Sequence, residues 1–131
     1  MARSKMMKIN QPEESLKYRI ALYARVSTDA QAEEGYSIDI QKERLDAYSK
    51  TITSTPDNIE HYIDDGYSGG NLQRPRMQDL ITDIEDGRIT HVIVYKLDRL
   101  SRSQKDTLYL IEDVFIPNNV AFISVQESFN T

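Results

Sequence analysis

The sequence predicts an α/β protein with three layers: a mostly parallel central sheet flanked by helices. Three observations predict it. Short apolar runs of strand length recur at about 20–26, 60–63, 91–95 and 120–125. Segments with helical spacing of apolar residues fill the intervals. Strand and helix therefore alternate, and such β-α-β units lay strands side by side in parallel with helices on the sheet faces.

The elements follow in order. Residues 1–17 are polar, lack a clear period and read as a flexible leader, leaving 18–131 as one domain. The first strand, 20–26, is apolar throughout until Arg25. A loop of small and acidic residues spans 27–36. Ser37 is placed to cap a helix in which Ile38, Gln41, Leu45 and Tyr48 share one face. The second strand is short and ends at Asp64-Asp65-Gly66. The glycine-rich stretch 66–73 is expected to be a mobile loop. Pro75 suits a first helical position, Met77, Leu80, Ile81 and Ile84 recur at helical spacing, and Asp86-Gly87 ends the pattern. After the third strand, Ser103 can cap a helix, with Asp106 three residues on as in a capping box. Leu108, Ile111, Val114 and Phe115 form its expected buried stripe, and Pro117 stops it.

Composition narrows the function classes. The chain has 131 residues, of which 39% are hydrophobic, enough for one core. Cysteine is absent, which excludes disulfides and thiolate metal sites and fits a reducing cytoplasm. No apolar run approaches the roughly 18 residues that a membrane helix needs, and no secretory h-region follows the N-terminus. The net charge is −5, from 16 basic and 21 acidic residues. That balance is unlike a chain that grips nucleic acid unaided, because such affinity rests on Lys and Arg neutralising phosphates.

Chemistry concentrates where strands stop. In open α/β sheets, sites form beyond the carboxyl ends of the strands. The first strand delivers Arg25 and Ser27, and the third delivers Lys96, Asp98, Arg99 and Arg102. A hydroxyl among guanidinium groups suits reaction at a phosphate, because Arg matches phosphate oxygens bidentately and keeps its charge. Arg25 and Ser27 lie two apart on a strand end and point to one side. Arg25 and the other arginines are expected to bind phosphate and ease Ser27 deprotonation. The plainer alternative is that Ser27 caps a turn. Arg99 and Arg102, three apart, are expected to share a helical face, with Asp98 able to pair with Arg102. The alternative there is a solvated helix start. Arg74 precedes a helix N-terminus, which attracts anions. Arg76, Lys96 and Lys105 read as surface residues, and His61 and His91 as packing or edge residues. Asp64 and Asp65 could hold Mg²⁺; a turn-forming role before the glycines is the preferred reading.

Four segments, in order and in spacing, resemble the serine recombinase family of resolvases and invertases. They are Tyr23-Ala24-Arg25-Val26-Ser27-Thr28-Asp29-Ala30-Gln31, then Ser37-Ile38-Asp39-Ile40-Gln41, then Asp64-Asp65-Gly66-Tyr67-Ser68-Gly69 with Arg74-Pro75, and Lys96-Leu97-Asp98-Arg99-Leu100-Ser101-Arg102. The second and third look most like the large serine recombinases, the integrases and transposases of mobile elements. The resemblance implies a resolvase-like catalytic domain, truncated before the long assembly helix and DNA-binding domains of the family. It implies that Ser27 attacks a DNA phosphodiester, giving a 5′-phosphoserine link and a free 3′-OH, and that religation reverses the attack with neither metal nor ATP. Arg25, Arg74, Asp98, Arg99 and Arg102 would form the catalytic site, with Gln31 and Gln41 supporting it. The partners implied are double-stranded DNA and further copies of the chain, from dimer to tetramer. No metal, small-molecule cofactor or membrane is implied, and the setting is the cytoplasm of a bacterium or a mobile element's host. On this reading the 131-residue chain alone does not recombine DNA.

Three rival readings stay open at this stage. Tyr23 could be the nucleophile of a tyrosine recombinase or topoisomerase. Asp64 or Asp65 could serve a phospho-acceptor receiver module. The domain could also be an inactive scaffold, which an arginine cluster turned away from Ser27 would favour.

Overall fold

Strand β1 (Ile20–Val26) is buried along its whole length, because it sits inside the sheet with helices on both faces. The computed structural model describes residues 19–27, 37–126 and 129–130. The expected leader at 1–17, and Gln31, lie outside the described residues. The sheet order is β2-β1-β3-β4-β5, with β2 at Ile59–Asp65, β3 at His91–Val94, β4 at Ala121–Ser124 and β5 at Phe129–Asn130. Strands β1 to β4 are parallel, and β5 is antiparallel to β4. The expected three-layer, mostly parallel architecture is the one observed.

The two-residue period of β1 divides the core. Ile20, Leu22 and Ala24 face helix α1 (Ile38–Ser49) together with Leu45, Ile93 and Ile123. Ala21 and Tyr23 face the opposite layer, packing with Met77, Leu80 and Ile84 of helix α2 (Pro75–Glu85) and with Leu110, Val114 and Phe115. Runs that are apolar on both faces are what a covered parallel sheet requires. Arg25 has the parity of Tyr23, so its side chain enters the α2 layer.

Caps follow the expected chemistry at two points. The Ser37 Oγ accepts from the Ile40 N–H at 3.2 Å, and the Ser103 Oγ accepts from the Asp106 N–H at 3.1 Å. The reciprocal half of a capping box is supplied differently: the Ser103 N–H donates to the Ser101 Oγ at 3.0 Å. Helix α2 ends as expected, with Gly87 at φ 79° and the Arg88 N–H returning to the Asp83 carbonyl at 2.9 Å.

Three expectations are corrected. Strand β2 is longer than 60–63 and runs through Asp64 and Asp65, because β1 extends far enough to pair Arg25 with Asp64 and Val26 with Asp65. A short helix α3 (Leu97–Leu100) forms ahead of the helix expected after Ser103, α4 (Gln104–Tyr109), and Ser101 between them is extended at φ −165° and ψ 146°, so the helical turn expected to carry Asp98 on to Arg102 stops at Leu100. Helix α4 then passes into a π-helical stretch, Leu110–Phe115. The wider turn shifts the phase of the apolar stripe, so Leu110 is buried and Leu108 is 49% exposed.

Candidate active site

Strand β1 pairs with β3 only from Ile20 to Tyr23. Beyond that the backbone of Arg25 needs other partners, since a buried peptide group left unpaired is costly. Gln41, buried on α1, supplies them. Its Oε1 accepts from the Arg25 N–H at 3.3 Å, and its Nε2 donates to the Arg25 carbonyl at 3.1 Å. The side-chain amide thus continues the sheet where β3 leaves it. Gln41 acts two residues before Ser27, on the backbone that carries it.

The guanidinium of Arg25 is 0% exposed and bonded on every nitrogen. Nε donates to the Arg99 carbonyl at 3.1 Å, Nη1 to the Tyr67 carbonyl at 3.1 Å and Nη2 to the Asp98 carbonyl at 2.6 Å. Arg74 Nη2 takes the next carbonyl in the chain, that of Leu100, at 2.8 Å. The short helix α3 cannot satisfy its own last carbonyls, and the two arginines do so. Arg99 Nη1 donates back to the Arg25 carbonyl at 3.3 Å. Arg25, Arg74 and Arg99 are each at most 1% exposed.

Arg74 enters from the opposite side. Its Nε donates to the Asn71 carbonyl at 2.9 Å, and its Nη1 to the Tyr23 Oη at 2.7 Å. The Tyr23 hydroxyl donates in turn to Asp64 Oδ2 at 2.7 Å. Asp64 also receives the Arg76 N–H on Oδ1 at 3.0 Å and the Met77 N–H on Oδ2 at 3.1 Å. The helix N-terminus that the sequence offers to an external anion is therefore filled by the chain's own carboxylate. Asp64 is a cap reaching across from β2, whereas Asp65 is exposed, so the two acids do not converge on a metal. Tyr23 is likewise enclosed: burial, and then Asp64, push its hydroxyl well above the usual range despite Arg74. A nucleophilic role for Tyr23 does not fit that setting.

Charge in the cluster is one-sided. Among the described residues it holds four guanidinium groups, those of Arg25, Arg74, Arg99 and Arg102, beside the carboxylates of Asp64 and Asp98. Burial, and then Arg74, lower the pKa of Arg25. Burial, and then Arg25 and Arg102, lower that of Arg99 to about 10. Asp98 Oδ1 accepts from Arg99 Nε at 3.0 Å. The expectation that Arg99 and Arg102 share a helical face, and that Asp98 sits one turn before Arg102, is corrected: the helix ends at Leu100. Arg99 points into the protein, and Arg102 is exposed, lining an open depression with Lys96, Ser101, Gln104 and Thr107.

Ser27 follows directly on β1 and is half-buried. The carbonyl before it, that of Val26, is held by the N–H groups of Gly66 at 2.7 Å and Tyr67 at 3.1 Å. The structure thus unites Arg25, Arg74, Arg99 and Gln41 in one bonded cluster, with Asp98 on its edge, Arg102 bordering it through the loop at Gly69, and Ser27 at the end of the strand that anchors it.

The linkage through Tyr23 and Asp64 was missed by sequence reasoning. Its signal was present: Arg74 cannot cap α2 with its side chain, so the donors of Arg76 and Met77 required an acceptor from elsewhere.

Residues 20–131 match the family described as Resolvase, N terminal domain. This chain belongs to the resolvase family. The N-terminal catalytic domain of TP901-1 integrase is similar to it, with 52% identity and a TM-score of 0.77, over 86% of this chain and 81% of that one. A resolvase family site-specific recombinase from Streptococcus pneumoniae is 31% identical with a TM-score of 0.63, over 88% of this chain and 76% of that one. The transposon Tn917 resolvase of Enterococcus faecalis is 33% identical over 109 residues, which are 83% of this chain and 50% of that protein. This chain thus spans about half the length of that curated relative. It carries a serine recombinase catalytic domain, the domain of enzymes for site-specific DNA recombination. Among the described residues no helix of this resolvase-family domain is long and apolar enough to cross a membrane.

Proposed function

We propose that this domain breaks and rejoins double-stranded DNA with Ser27 as nucleophile. The observation that carries the reading is the excess of buried guanidinium charge gathered around the end of the strand that leads into Ser27. The Ser27 Oγ forms a bond to phosphorus, and the bond from phosphorus to the 3′ oxygen breaks. The hydroxyl proton leaves Ser27, and the departing 3′ oxygen gains a proton. The products are a 5′-phosphoserine link and a free 3′-OH. The phosphodiester bond energy is kept in the link, so religation needs no ATP. Charge that builds on the non-bridging oxygens is met by fixed guanidinium groups in place of a metal, and such preorganisation lowers the barrier without rearrangement during reaction.

The roles divide by exposure. Arg102, exposed at the rim, makes direct phosphate contact. Arg25, Arg74 and Arg99 supply positive potential from within and favour the ionised serine. Asp98 orients Arg99, which its bond to Arg99 Nε supports. Gln41 holds the strand, and Gln31 supports the site from outside the described residues. The acting form is a homo-oligomer, dimer to tetramer, on DNA in the cytoplasm.

The test is to mix the full chain with the DNA ends of its element in excess EDTA and quench with denaturant. The expected result is protein joined covalently to 5′ ends, absent in Ser27→Ala and retained in Tyr23→Phe. An adduct that persists in Ser27→Ala, or that forms only with Mg²⁺, would overturn the assignment.

A further inference from the structure

The loop 66–73 lies over the arginine cluster, and at one position it has no room for a side chain. A Cβ at Gly69 would fall 2.8 Å from both Cζ and Nη2 of Arg25 and 3.1 Å from Cγ of Arg102. At the neighbouring Gly70 the nearest atom to such a Cβ is the Ser68 Oγ, at an ordinary 3.4 Å. Gly69 is buried, whereas Ser68 and Gly70 on either side of it are exposed. Its backbone is not in the left-handed region, unlike that of Gly66 at φ 90°. The demand for glycine at 69 is therefore one of space and not of conformation.

Gly69 also bonds to the far side of the site. Its carbonyl accepts from the Arg102 N–H at 2.8 Å and from the Ser101 Oγ at 3.5 Å. Two residues before it, the Tyr67 carbonyl takes Arg25 Nη1; two residues after it, the Asn71 carbonyl takes Arg74 Nε. The Arg25 guanidinium cannot swing aside to admit a methyl group, because three carbonyls hold it. The loop would have to lift and carry the Arg102 bond with it.

We infer that Gly69 is a positioning residue: its missing side chain lets the loop lie flat on the Arg25 guanidinium and so fixes Arg25 and Arg102 at one spacing. The consequence for catalysis rests on the reading of these arginines given under Proposed function. The contact itself does not.

Two arms separate these levels. In the first, ¹⁵N-labelled protein is compared as wild type, Gly69→Ala and Gly70→Ala, following solvent exchange at the Arg25 Nε–H. Gly70→Ala is expected to leave the signal unchanged. Gly69→Ala is expected to shift it and to speed its exchange by about tenfold or more, while the amides of Val92 and Ile93 in the sheet stay protected. An unchanged Arg25 signal in Gly69→Ala would overturn the inference. If Gly69→Ala does not fold, the double variant Arg25→Lys/Gly69→Ala decides. Folding in that background assigns the damage to the guanidinium contact, and a double variant that is destabilised relative to Arg25→Lys alone as strongly as Gly69→Ala is relative to wild type overturns it.

In the second arm the full chain is assayed for covalent adduct at saturating DNA. Gly69→Ala is expected to lose about a hundredfold in rate with DNA affinity unchanged, as a displacement near 1 Å can cost, and Gly70→Ala is expected to stay within about twofold. Equal rates in the two variants would overturn the catalytic role. A wild-type chain that forms no adduct would count against the proposed function, with the exchange arm still deciding the place of Gly69.

Discussion

The side-chain amide of Gln41 holds the backbone of Arg25 at both its N–H and its carbonyl. A helix side chain thereby does the work of a neighbouring strand at the point where β1 approaches Ser27. Gln41→Ala should leave the buried N–H of Arg25 unpaired and its carbonyl with Arg99 Nη1 as the remaining side-chain donor. A loss of about 1–3 kcal/mol is expected, the cost of one buried polar group left unsatisfied. Urea unfolding monitored by circular dichroism measures it. A change within about 0.5 kcal/mol, the size of an ordinary surface substitution, would show that water or another group replaces the amide.

Tyr23 and Asp64 should behave as one unit. Asp64→Asn removes the charge that closes α2 and should cost about 1–2 kcal/mol, as loss of a cap does. Tyr23→Phe removes the hydroxyl between Asp64 and Arg74 and should cost about 1–2 kcal/mol. The double variant should cost less than the sum, because each single change already breaks the shared bond. Full additivity in urea titrations would mean that the linkage carries no energy.

Arg25 and Arg102 should separate by kind of defect. Arg102→Ala is expected to change stability by less than about 0.5 kcal/mol and to reduce covalent adduct by about a hundredfold or more. Arg102→Lys should recover little of that, because a point charge lacks the bidentate fork. Arg25→Ala should cost about 3 kcal/mol or more in folding, because it removes a buried charged group whose partners stay buried. Equal stability losses for the two arginines would contradict their assignment to rim and interior.

Alkaline pH should expose the buried tyrosines. Tyr23 has a folded pKa raised above its ordinary 10.0 by burial, so above pH 10 the unfolded chain sheds that proton and the folded chain keeps it. Stability from this group is complete below pH 10 and declines above it. Tyr62, raised by burial and by its bond to Asp83, acts in the same sense. Unfolding measured at pH 9 and at pH 11 should show a drop that is smaller in Tyr23→Phe. A drop of equal size in that variant would assign the effect to other groups.

Much of the layer architecture was legible in the sequence, because two-residue and helical periods report directly which face of each element is apolar. Strand β1 and helix α2 were readable to their ends. The site was legible as a set of residue types and positions, through the motifs at Arg25, Ser27 and Asp98–Arg102. Its wiring was not. Asp64 reads locally as a turn former, and only the pairing of β2 with β1 carries it to the N-terminus of α2. Arg99 and Arg102 read as helical neighbours, and only the extended backbone at Ser101 turns one inward and leaves the other outside. Leu108 fits the apolar period, which the π-helical stretch after it puts out of phase. Each of these depends on contacts between distant segments, which a local pattern does not encode.

The loop over the arginines is bound through the carbonyls of Tyr67, Gly69 and Asn71, and none of these bonds uses a loop side chain. The outer surface of that loop is thus uncoupled from the arginine network beneath it. Substitutions at Tyr67 and Gly70 can alter what the protein presents to its surroundings while the peptide groups go on holding the cluster, whereas the side chains of Ser68 and Asn71 bond the N–H groups of Gly70 and Gln73 and shape the loop itself. The exposed face of the loop can diversify there without disturbing the chemistry below, with Gly66 fixed by its backbone conformation and Gly69 by the space it leaves to Arg25.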